Sequence, residues 1–241
     1  MKLQPFEIVN GISLLVYVTI TIILGLVICS KYFKEKNRTF LLVGLTWIFM
    51  SLAWVAGVIS FFYTLTTGKM ISVSTYLFFG FTFLPLAMFT WFIAFSDLVY
   101  NEYQKIILII AIIYGFVFEV IFLYFLFTNP NYLAVLHSPL EIEYKWFIQL
   151  YLASILVIIF VTGITFSIKT RQVQPDMKWR GNLLLIAFIS IIIGSIFDTI
   201  FTQNVILILL KRLLLISASF EFYCCFSLPK LFKKIFFKEK N

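Results

Sequence analysis

Residues 8–30 read IVNGISLLVYVTITIILGLVICS, and between Glu7 and Lys31 these 23 residues carry no charge. A helix rises ~1.5 Å per residue, so about 20 apolar residues cross the ~30 Å hydrocarbon core of a bilayer. Strands of a membrane barrel alternate apolar and polar residues over ~10 positions. This window is apolar without alternation, so it reads as a membrane-spanning helix. It is too long for the ~7–15-residue apolar region of a signal peptide, and Lys2 alone makes a thin basic flank. No small residue stands before Cys29 in Leu26-Val27-Ile28-Cys29, as lipoprotein processing would want.

The same test works outward along the chain. Arg38 to Lys69 encloses 30 uncharged residues, Lys69 to Asp97 encloses 27, and Lys145 to Lys169 encloses 23. Three further stretches are as apolar but are interrupted by ionisable groups. The expected fold is all-α, a polytopic membrane protein built as a seven-transmembrane-helix bundle. Its spans fall at about 8–30, 39–63, 71–99, 105–128, 146–168, 181–202 and 204–228. Composition agrees: of 241 residues 62% are hydrophobic and 12% charged, against about 45–50% and 25% in soluble domains. That excludes a soluble globular domain, a disordered chain and a disulfide-stapled scaffold. The longest segments outside lipid, about 129–145 and 169–180, cannot bury a core of their own. One membrane domain over 1–241 is expected, with no attached kinase or nucleotide-binding module.

Basic residues orient the bundle. One set of loops and the tail hold 14 Lys and Arg, among them Lys31, Lys34, Lys36, Arg38, Lys105, Lys169, Arg171, Lys178 and Arg180. The other side holds Lys2, Lys69 and Lys145. The N-terminus is expected outside, the C-terminus in the cytoplasm, and the chain in the cell membrane. The net charge of +8 then reflects topology and attraction to anionic lipid at the cytoplasmic face. No basic domain exists to bind nucleic acid. Tyr32, Tyr100, Tyr103 and Trp179 are expected at the inner interface, and Tyr63, Tyr76, Tyr144 and Trp146 at the outer one. After Pro229, Leu231, Phe232, Ile235 and Phe236 recur at helical spacing between lysines. The tail 229–241 therefore reads as a short interfacial helix, a lipid anchor before it is a docking surface.

Cys29, Cys224 and Cys225 all fall near the cytoplasmic ends of the first and last spans, so they read as packing residues rather than a disulfide. Lipidation at such positions is the alternative. The single histidine, His137, lies in the outer loop. No metal-ligand cluster, nucleophile–base pair or phosphate loop can be assembled, so neither an enzyme, a metal site nor a cofactor is expected. The microbial rhodopsin pattern places an aspartate four residues before its lysine, where this chain has Leu207 before Lys211.

Charges inside lipid are costly and face a bundle interior or a cavity. Glu119, Asp198, Lys211 and Glu221 are such residues, with Arg212 a fifth. Rise per residue puts Glu119 ~13 Å, Asp198 ~8 Å and Lys211 ~11 Å below the outer edge. The hypothesis is that Asp198, Lys211 and Glu119 line one outward pocket, with Glu7 and Asn10 at the same level. Asn182 and Glu221 lie toward the other face. Lys211 and Arg212 are adjacent, about 100° apart on a helix, so they are expected to diverge, at least one snorkelling to headgroups. Mutual neutralisation is the commoner meaning of such a cluster, and a ligand or ion site the sharper one. Pro85, inside Leu84-Pro85-Leu86, is expected to kink the third span, as a hinge or as a packing feature.

The order of features resembles the seven-helix sensory region at the N-terminus of some prokaryotic histidine kinases. The likeness rests on Leu84-Pro85-Leu86 followed by Trp91-Phe92-Ile93-Ala94-Phe95, and on Arg171-Gln172 before Arg180-Gly181-Asn182-Leu183. It implies a sensor whose output needs a separate cytoplasmic signalling protein, and it carries over no binding residue. The expected function is a stand-alone sensor or receptor-like module. Coupling would run to Arg171, Lys178, Arg180, Lys233 and Lys234. The alternative is a small transporter, channel or lipid-handling protein using Glu119, Asp198 and Glu221. A structural subunit with close contacts at Gly57, Gly80, Gly115 and Gly194 is a third reading. Oligomeric state is open.

Overall fold

The computed structural model describes residues 2–173, 177–200 and 204–227. The helices are α1 (Pro5–Glu35), α2 (Arg38–Thr67), α3 (Val73–Phe81), α4 (Leu84–Val99), α5 (Gln104–Thr128), α6 (Trp146–Val173), α7 (Lys178–Ile200) and α8 (Val205–Ser227). Among the described residues, six helical segments are long and apolar enough to cross a membrane, α3 and α4 together forming one of them. The eighth helix has 23 residues but carries Lys211, Arg212 and Glu221 within that length. The chain is thus an all-α membrane protein in its main architecture.

Local chemistry sets the boundaries. Pro5 opens α1, where Gln4 and Glu7 form a reciprocal capping box, which satisfies amides that a helix start leaves open. Asn37 caps α2 by accepting from the Thr39 amide at 2.9 Å. Gly68, with φ 67°, ends α2 in the left-handed region, where a residue without Cβ is unstrained. Asn204 caps α8, accepting from the Ile206 and Leu207 amides at 2.9 and 3.3 Å.

Two features depart from the expected pattern. The third span is two helices, interrupted at Thr82-Phe83, with Pro85 in the first turn of α4. A proline lacks the amide that would bond four residues back, and the first turn tolerates that loss. Residues 129–145 fold into an antiparallel hairpin, β1 (Ala134–Ser138) and β2 (Glu141–Tyr144), pairing Ala134 with Tyr144 and Leu136 with Ile142. The hairpin packs onto the bundle: Leu133 and Ala134 are fully buried, and the Ser60 hydroxyl donates to the Pro139 carbonyl at 2.5 Å.

Helices α1, α2, α4, α6, α7 and α8 pack in that order around a closed ring, and α5 stands outside it against α4. The ring encloses Trp47 stacked on Phe222, 4.2 Å between centroids, with Phe188 edge-on to Phe222 and to Trp91. Single hydrogen bonds stitch neighbours: Thr21 to Ser219 (3.0 Å), Thr46 to Thr90 (2.9 Å) and Trp91 to Thr162 (2.9 Å). The α1 and α2 backbones approach closely at Gly44, where an added Cβ would lie 2.6 Å from the Gly25 carbonyl oxygen. Lipid tails are as apolar as leucine, so close packing at small residues and such hydrogen bonds hold a bundle of this kind together.

Candidate functional site

The capped start of α8 places Lys211 and Arg212 about two turns in, facing the last turn of α7. Asp198 Oδ1 accepts from Lys211 Nζ at 2.8 Å and from Arg212 Nη2 at 3.0 Å. Its Oδ2 accepts from Trp54 Nε1 of α2 at 2.7 Å. Arg212 Nη2 also donates to Asn10 Oδ1 of α1 at 3.2 Å. One carboxylate therefore gathers α2, α7 and α8, and Arg212 adds α1. The Lys211 and Arg212 side chains are 1% and 5% exposed and that of Asp198 19%, so all three face inward.

Aromatic rings shield the cluster. Tyr17 meets Trp54 edge-on at 5.3 Å, and both Tyr17 and Tyr76 lie close enough to feel the charges of Asp198 and Arg212. Tyr76 is 7% exposed and pairs with Tyr144 of the hairpin, which also stands edge-on to Phe81 at 5.3 Å. Tyr63 and Trp146 are exposed as expected of interface residues, whereas Tyr76 is buried. The hairpin, which covers this end of the bundle, takes it out of the interface.

The sequence-derived pocket is thus assembled in part. Asp198, Lys211 and Asn10 come together. Glu7 is buried, but its carboxylate closes the first turn of α1 by accepting from the Gln4 amide at 2.7 Å. Glu119 is on α5, outside the ring, and its electrostatic neighbour is Tyr151 of α6. It is not among the groups bonded to Asp198. The expected divergence of Lys211 and Arg212 is also corrected. Their backbones point about 100° apart, but both long side chains bend back to Asp198, since an unpaired cation in hydrocarbon costs more than the curl. Trp54 was not anticipated, and Arg212 was anticipated as a buried charge but not as a member of the pocket. The adjacency of Arg212 to Lys211 was a usable signal; one indole among apolar residues was not.

At the opposite end, Arg38 holds Asp97 through Nε at 2.8 Å and Nη2 at 2.6 Å, and Gln104 bonds the same carboxylate. Lys31 Nζ donates to the Phe226 carbonyl at 3.1 Å, closing α1 on α8. Arg171 and Lys178 are exposed and line a surface groove with Ile168 and Gln172, while Arg180 is half-buried. Lys233, Lys234 and the whole tail 229–241 lie outside the described residues. Glu221 accepts from Ser190 at 3.4 Å across α7 and α8. In the middle of the ring, a void of about 10 Å³ between Trp47, Met88, Trp91 and Phe222 has room for one water at most. The chemistry available at the Asp198 cluster is charge pairing between helices, with every oxygen of the carboxylate already engaged.

No family model, curated protein or solved structure matches the chain.

Proposed function

We propose that this chain is a seven-helix sensor module of the cell membrane, with the hairpin outside and the Arg38–Asp97 end in the cytoplasm. In this reading α8 is the seventh span. Its two cations turn inward to Asp198, so its outer surface stays apolar: Ile206, Leu209, Leu210 and Leu213 are all exposed there. The observation that carries the function is the single carboxylate of Asp198 joining α2, α7 and α8, extended to α1 by Arg212. A ligand or hairpin movement that competes for any of these donors changes the contacts of four helices at once. Buried charge pairs of this kind serve as two-state elements, because partial separation is costly. The signal would leave through the ends of α6 and α7, at Arg171, Lys178 and Arg180, to a separate cytoplasmic protein. Anionic lipid would hold that basic face.

The test measures coupling between the two ends. Spin labels at Lys34 and Lys178, in a variant with Cys29, Cys224 and Cys225 replaced by Ala, report the cytoplasmic separation of α1 and α7. Asp198→Asn is expected to shift that distance on the order of 2 Å or more, the scale of helix movements in switching proteins. Superimposable distances would remove the sensor reading. Solute flux in proteoliposomes that Asp198→Asn abolishes would replace it with transport.

A further inference from the structure

Away from the Asp198 cluster, α5 and α6 both rest on α4, while their backbones make little contact with each other. Aromatic side chains bridge the gap. Phe118 stacks flat on Tyr151, 3.4 Å between centroids, and Tyr114 bonds Ser154 at 2.5 Å. Beside them stands Glu119, half-buried at the seam. Its Oε2 is buried without a hydrogen-bond partner among the described residues, and so is the hydroxyl of Tyr151, a residue only 6% exposed. Glu119 directly follows Phe118, whose ring lies flat on that of Tyr151, so the two unbonded groups share the seam. No cation pairs with Glu119 among the described residues.

A carboxyl and a phenol left unbonded in hydrocarbon are each costly, and water is scarce at this depth. One small group that both donates and accepts would satisfy the pair. The flanking faces are greasy: Phe116 and Val120 on α5 and Leu150 on α6 are at least half exposed. An apolar chain lying along the seam would cover them. Glu119 stands about 13 Å from the Thr128 end of α5, deeper than a phospholipid headgroup sits. An ammonium would bring its own desolvation cost to this depth, which favours an uncharged polar group.

We propose that the α5–α6 seam is a lateral site for a membrane-dissolved amphiphile whose polar end is a single hydroxyl, held between Glu119 and Tyr151. The site is separate from the Asp198 cluster and does not depend on a sensing role.

The experiment uses the full chain in phosphatidylcholine nanodiscs and a long-chain alcohol carrying a photoactivatable diazirine. Adducts are mapped by mass spectrometry. Labelling is expected to concentrate between residues 114–119 and 150–154, and to fall several-fold with excess hexadecanol. It should fall similarly in Glu119→Leu and in Tyr151→Phe, the second of which keeps the Phe118 stack and so guards against misfolding. Thermal unfolding of each variant checks that the bundle is intact. Labelling spread evenly over the lipid-facing helices overturns the proposal. So does labelling unchanged in Tyr151→Phe, or competition by hexadecylamine and not by hexadecanol.

Discussion

Asp198→Asn is the sharpest perturbation of the bundle. The amide keeps the shape of the side chain and one acceptor oxygen, so packing is preserved. What disappears is the charge that faces two cations whose side chains are 1% and 5% exposed. Two accounts predict different costs. If the cluster acts only through hydrogen bonds, the loss is small, because such bonds between membrane helices average about 0.6 kcal/mol. If the cluster acts as a buried charge pair, removing one partner strands the others and costs about 3–5 kcal/mol. The structure supports the second account, since Lys211 and Arg212 converge on the same oxygen. A second substitution separates them cleanly. Lys211→Met removes one cation and leaves Arg212 with Asp198 and Asn10. In that background Asp198→Asn strands one cation instead of two, so its cost should fall by about 2 kcal/mol, well within the coupling seen for contacting groups. The assay is reversible unfolding in mixed micelles, followed by helical circular dichroism, for wild type, both single variants and the double. A cost below about 1 kcal/mol for Asp198→Asn, or strict additivity in the double variant, would refute the reasoning.

Three other outcomes are expected. Gly44→Ala should destabilise the bundle by at least about 1–3 kcal/mol, because the new Cβ meets backbone atoms of Gly25 and Cys29 at 2.6 and 2.8 Å. Gly80→Ala, whose nearest neighbour is the Ala56 Cβ at 3.4 Å, should be neutral or mildly stabilising, and the same unfolding assay compares the two. On the hairpin, the hydrogen bonds from Lys145 and then His137 hold the exposed Glu143 carboxyl below its ordinary value of 4.5. A depressed value means the contribution to stability is present above that pH and fades as pH falls through the lower folded value. In Lys145→Gln the titration midpoint of Glu143, read by carbon-13 NMR of the labelled carboxyl, should rise; an unmoved midpoint contradicts the assigned contact.

Much of the architecture was legible because its cause is local. A charge-free run of 23 residues such as 8–30 has few stable forms in or out of water, and the caps at Asn37 and Gly68 act on their own neighbours. The hairpin at 134–144 was not legible. It is short, and it is held by Ser60 and Phe81, which lie more than fifty residues away in sequence. The division of the third span was half legible: Pro85 announces an interruption, but its place at Thr82-Phe83 depends on how α3 and α4 seat against α2 and α5. The site divides in the same way. Asp198 and Lys211 sit on consecutive helices only a few residues apart in sequence, so their pairing follows from antiparallel packing. Asn10 and Arg212 were placed by depth but not by azimuth, and Trp54 joined through side-chain reach that no spacing rule encodes.

From the sequence alone came the apolar helices, their order, and the location of the few charges among them. These follow from the cost of placing charge and open backbone in hydrocarbon, which every window of the chain expresses by itself. Only the tertiary structure decided which charges meet. Closing α1, α2, α4, α6, α7 and α8 into a ring put Asp198, Lys211 and Arg212 inside it and left α5, with Glu119, outside. Depth along a helix can be counted from the sequence, but azimuth around the bundle is set by which helices pack side by side. Azimuth is what separates a shared pocket from two independent sites.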